Sequence, residues 1–143
     1  MIVKLYLLMM LSVCTWQDIG SKTINLWLVL SGIILSFLYS LVYCSNEPAD
    51  ILAGAGIGLI ICALSIITQG AIGFADGLMF IFTGIIIGLW PNIVLFFMAL
   101  VLGAGYSAYL LIAEKKNRRY EFAFVPFMLV AYVVMLALDG EML

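Results

Sequence analysis

Six apolar runs alternate with short polar intervals along this chain, at residues 2–16, 26–43, 51–67, 78–89, 92–113 and 122–138. Read as helices, several are shorter than the roughly 20 residues needed to cross about 30 Å of hydrocarbon at about 1.5 Å per residue. The shortfall is informative. The first run spans only if its helix continues through Gln17 toward Asp18, and the fourth only if it starts upstream near Phe74. The pattern therefore predicts an all-α membrane protein, a bundle of six transmembrane helices in one domain over residues 1–143, with Asp18 and Asp76 drawn into the membrane boundary.

Composition supports that reading. The chain has 143 residues, 66% hydrophobic and 10% charged, and a mean hydropathy of +1.27. A soluble domain carries about 25% charge, and one charged residue in ten cannot cover a water-facing surface. Lys4 before the first run suggests a cleaved signal peptide, but no small-x-small cleavage pattern follows, so the run is read as a retained helix.

Where the charges fall sets the orientation. The intervals holding Lys22, and Lys115, Lys116, Arg118 and Arg119, fall on one side with residues 68–77. The other side has Lys4 against Glu47, Asp50, Asp139 and Glu141. The excess of basic residues predicts that the first side is cytoplasmic and both termini external, in a bacterial-type inner membrane. Asp18 and Asp76 then share the cytoplasmic face. The basic stretch 114–121 is read as a topology determinant beside anionic lipid rather than a nucleic-acid contact.

Packing signals lie in the small residues. Gly54, Gly56 and Gly58, then Gly84 with Gly88, then Gly103 with Gly105 form surfaces suited to close helix contact. They are expected to pack inside one bundle, and they also allow a homo-oligomer. Trp90-Pro91-Asn92 is expected to break the chain into a tight external turn.

The chain has no histidine, which removes Ser-His-Asp, Cys-His and His-based zinc chemistry. Cys14, Cys44 and Cys62 show no CxxC spacing and read as small apolar side chains in helices. No metal or cofactor is called for. An acid at the edge of hydrocarbon is costly enough to demand a reason. Asp is a good N-cap residue, and each of the two acids can serve a helix start. As a pair at a partly dry site they can share a proton and supply acid and base together.

Gly70-Ala71-Ile72-Gly73-Phe74-Ala75-Asp76 resembles the glycine-rich GxGD motif of type IV prepilin peptidases, which are membrane aspartic proteases. The stretch from Asp18 to Asn25 is similar to that family's first aspartate motif, and Pro126-Phe127 resembles the segment opening its last helix. The resemblance implies cleavage, on the cytoplasmic side, of the basic leader that precedes the apolar helix of pilin-like precursors. Asp18 and Asp76 would be catalytic, with Gly70, Gly73, Ala75 and Gly77 supporting the active-site loop. The cysteine-rich zinc domain of methylating members is not seen, so the short, peptidase-only form is expected. Ala75 stands in place of the motif's second glycine, and Leu78 stands where many members carry lysine. Two other readings stay open: an unrelated two-aspartate lipoprotein signal peptidase, and a non-catalytic assembly factor or small transporter.

Overall fold

A computed structural model describes residues 2–21, 24–43, 48–69, 73–113 and 123–138. They form six helices: α1 (Ile2–Ser21), α2 (Leu26–Tyr43), α3 (Pro48–Ile67), α4 (Phe74–Ile87), α5 (Leu89–Ala113) and α6 (Val125–Leu138). The first helix runs past Asp18 and the fourth begins at Phe74, the two extensions that the short apolar runs require. By length and composition α1, α3 and α5 are apolar enough to cross a membrane. Helices α4 and α6 have 14 residues each, about 21 Å of rise.

The short α4 is the centre of the bundle. It packs against α1, α2, α3 and α5, and seven of its residues are buried, on all sides of the helix. Around it lies one apolar core that draws Leu7 and Leu11 from α1, Val29 from α2, Ile61 from α3, Leu95 and Ala99 from α5, and Met128 and Tyr132 from α6. The outer faces carry the opposite signal. Trp16 and Trp27 near one end, Trp90 near the other, and many Leu, Ile and Val side chains between them are exposed. Aromatic residues at both rims of an apolar belt suit the two interfaces of a bilayer.

Glycine decides how closely α3 and α4 approach. A β-carbon on Gly54 would overlap the backbone of Gly84, one on Gly58 would overlap Gly77 and Ile81, and one on Gly77 would strike Cys62. The expected small-residue surfaces of α3 and α4 thus face each other within this chain. Gly56 has open space where its side chain would be, as does Gly105, so not every glycine in those stretches belongs to a contact.

The turn between α4 and α5 is tighter than expected and lies upstream of Trp90-Pro91-Asn92. It is made by Gly88, whose φ of 80° lies in the left-handed region that glycine enters freely. Trp90, Pro91 and Asn92 belong to the first turn of α5. Pro91 is tolerated there because the first amides of a helix have no intrahelical partner. Asp50 of α3 takes up one such amide, accepting from Leu89 N–H at 3.2 Å.

Asn92 is fully buried and is a hydrogen-bonding hub. Its Nδ2 donates to the carbonyls of Gly54 (2.9 Å) and Phe80 (3.0 Å), and its Oδ1 accepts from Thr83 Oγ1 (2.8 Å). One side chain thereby ties α3, α4 and α5 together, with both amide groups satisfied.

Gly58→Ala is expected to lower stability by about 1–3 kcal/mol through overpacking, and Gly56→Ala, facing open space, to leave it within about 0.5 kcal/mol. Thermal unfolding in detergent micelles measures both. Asn92→Leu is expected to cost at least about 2 kcal/mol in the same assay, because it removes three buried hydrogen bonds that join α3, α4 and α5.

Candidate functional site

All the elements that carry predicted site residues meet at one end of the bundle. There α1 finishes, α2 starts, α3 finishes, and α4 and α6 start. Asp18 sits in the last turn of α1 and is buried, 8% exposed. Its burial has a structural account: Oδ2 accepts from the Val125 amide at 3.1 Å. Asp18 therefore caps a helix, but the helix is α6, 107 residues away in sequence. Sequence reasoning considered a cap at the nearby start of α2. That start is instead capped by Asn25, whose Oδ1 accepts from Trp27 N–H at 3.1 Å, while Gln17 Oε1 accepts from Asn25 N–H at 3.1 Å.

Asp76 lies in the first turn of α4 and is half-buried. The residue at the N-cap is Gly73, with φ −62° and ψ 119° and no side-chain cap bond. Any residue can adopt that extended backbone, so conformation does not demand glycine here. Space does: a β-carbon on Gly73 would overlap the Asp76 carboxylate, which folds back over it. Cys62 Sγ supports the same turn from α3, donating to the Phe74 carbonyl at 3.8 Å.

The two carboxylates come together. Asp18 and Asp76 are near enough for the charge on one to act on the other. The elements bearing them are further joined by an aromatic contact, Phe80 of α4 against Phe124 at the entrance to α6, with ring centroids 6.4 Å apart. Two acids from α1 and α4 thus lie at the same end of the bundle, within electrostatic reach of each other.

The other predicted positions divide by role. Gly77 is buried in the α3–α4 seam, so it places α4 rather than forming a loop. Ala75 is helical, in the first turn of α4, a conformation that accommodates a β-carbon. Leu78 packs against the apolar core. Gly70 lies outside the described residues, as do Lys22, Cys44, Glu47, Asp139, Glu141 and the basic stretch 114–121. The chain leaves α3 just before Gly70 through Gln69, at φ 52°, a left-handed exit common at helix C-termini. Among the described residues, no group of three or more Cys, Asp or Glu side chains is placed to hold a metal ion.

Sequence reasoning missed the amide of Val125 as the partner of Asp18. The only available signal was Pro126, which marks a helix start. It does not say which acid meets that start.

Comparison with known proteins finds one family. The model of the type IV leader peptidase family matches residues 5–108, a span that includes both Asp18 and Asp76 and ends before the basic stretch and α6. No curated protein and no solved structure gives a significant match. With about three-quarters of its length matched, both acids included, this chain belongs to the type IV leader peptidase family.

Proposed function

We propose that this protein is a membrane aspartic endopeptidase that removes the leader of type IV pilin-like precursors, with Asp18 and Asp76 as the catalytic pair. One observation carries the reading: the two carboxylates, from α1 and α4, meet at one end of the bundle closely enough to interact electrostatically.

The chemistry needs only that pair. One carboxylate takes a proton from water as the oxygen attacks the peptide carbonyl carbon. The other, protonated, donates a hydrogen bond to the carbonyl oxygen, and a proton is then passed to the leaving amine as the carbon–nitrogen bond breaks. Two acids brought together share a proton readily, because both cannot ionise cheaply at a partly dry site. The substrate would be a basic leader, drawn to the local negative charge of the two acids, followed by an apolar helix that lies in the bilayer beside it.

In this reading the chain crosses the inner membrane six times and the paired acids lie on the cytoplasmic side, as the distribution of lysine and arginine indicates. The short helices α4 and α6 are counted among the six spans because both are apolar throughout and pack within the bundle. Ala75 is compatible with activity, because its place in the first helical turn needs no glycine.

A non-catalytic reading draws on one observation, that the bond from Asp18 to α6 is by itself a sufficient structural use for that acid. Asp18→Asn separates the two. Asparagine keeps an oxygen for the Val125 amide but cannot exchange a proton. Asp18→Asn and Asp76→Asn are each expected to lower cleavage of a co-expressed pilin-like precursor by at least about 100-fold, the usual range for loss of a general acid or base, while the protein still inserts. Gel mobility of the precursor is the readout, and full processing by either variant rejects the mechanism. Gly73→Ala is expected to reduce turnover by about 100-fold through displacement of Asp76 with little loss of thermal stability, which kinetics and unfolding in the same detergent would measure.

A further inference from the structure

The first turn of α6 is built to hold an acceptor. The Phe124 carbonyl receives the amides of Phe127 (3.0 Å) and Met128 (3.4 Å), which makes Phe124 the residue at the helix start. The first amides of a helix have no partner within it, and Pro126 has none to offer. The amide of Val125 is the one that Asp18 takes. This turn cannot easily drift. Val125, Met128 and Ala131 are fully buried, and one face of α6 is fastened again to α1 where Tyr132 Oη donates to the Lys4 carbonyl at 3.4 Å.

We propose that the first turn of α6 is the positioning element of the catalytic pair, and that Val125 is a positioning residue acting through its backbone N–H. This rests on the peptidase reading above. Asp18 is the fixed member, set by α6, against which Asp76 is placed by the first turn of α4. The partial positive charge of a helix start also offsets the repulsion that arises when two carboxylates converge. The arrangement gives α6, which lies beyond the matched residues 5–108, a direct part in assembling a site whose acids both lie within them.

Proline is the substitution that removes this donor selectively. Val125 is the first residue of α6, where proline fits a helix well because the missing N–H has no intrahelical partner. Val125→Pro therefore deletes the bond to Asp18 while leaving a permitted helix start. In the full chain, assayed in membranes on a synthetic precursor with a basic leader and an apolar helix, it is expected to lower kcat per folded molecule by about 10- to 100-fold. KM should stay within about twofold. Met135→Ala, which loosens the buried far half of α6, is expected to lower stability but keep kcat per folded molecule.

A second measurement serves if Val125→Pro does not fold. Hydrogen exchange at the Val125 amide should be slow in the unaltered protein and in Asp18→Asn, and at least about tenfold faster in Asp18→Ala. Unchanged kcat in Val125→Pro, or equal exchange in all three proteins, overturns this inference and leaves the peptidase reading intact. No cleavage by the unaltered protein overturns both.

Discussion

Helix starts expose amides with no partner, and in an apolar bundle the polypeptide must find acceptors for them. Here that need is met across the fold rather than along the chain. Asp18 from α1 takes the Val125 amide at the start of α6, and Asp50 from α3 takes the Leu89 amide at the start of α5. Each bond joins elements far apart in sequence. Each also gives a carboxylate in a hydrophobic setting a donor that its burial requires. The bundle's two ends are thus closed by acids, and at one of them the closing acid meets a second.

The central helix sets where that second acid stands. Because Gly54, Gly58, Gly77 and Gly84 lack side chains, α3 and α4 approach to backbone contact. Asn92 then fixes the pair to α5 with three hydrogen bonds to groups that are otherwise buried. A helix held on so many sides has little freedom to slide or rotate, so its first turn presents Asp76 at a defined height. Gly73 adds the last element, leaving room for the carboxylate to fold back over its own helix start. Among the described residues, the glycines of this region therefore act through close approach, and Gly88 alone of them has a left-handed backbone.

These two constraints make the acids unequal. Asp18 is buried and tied to a backbone amide. Asp76 is half-buried on a turn supported by Cys62 and the glycine seam. In the proposed mechanism an anchored acceptor beside a second acid would suit proton exchange with a bound water. The same anchoring would let Asp18 combine a structural use with the proposed chemical one, because an oxygen engaged by an amide still belongs to a carboxylate that can act on a neighbour.

Much of the fold was legible in the chain itself because membrane helices are written locally. Run lengths that fell short of a span required α1 to continue through Asp18 and α4 to begin near Phe74, and the helices do so. The stretches around Asp18 and from Gly70 to Asp76 carried the resemblance to the family whose model matches residues 5–108. The placement of Trp90-Pro91-Asn92 in a turn was misjudged, because local propensity favours proline and asparagine in turns and cannot see that Gly88 had already turned the chain. What only the tertiary structure decided was partnership: Asp18 with α6, Asp50 with α5, and Asn92 with two carbonyls and a hydroxyl. The physical reason is that an unpaired amide or acid states a need in the sequence, but the group that satisfies it is chosen by which helix ends meet once the apolar faces have packed.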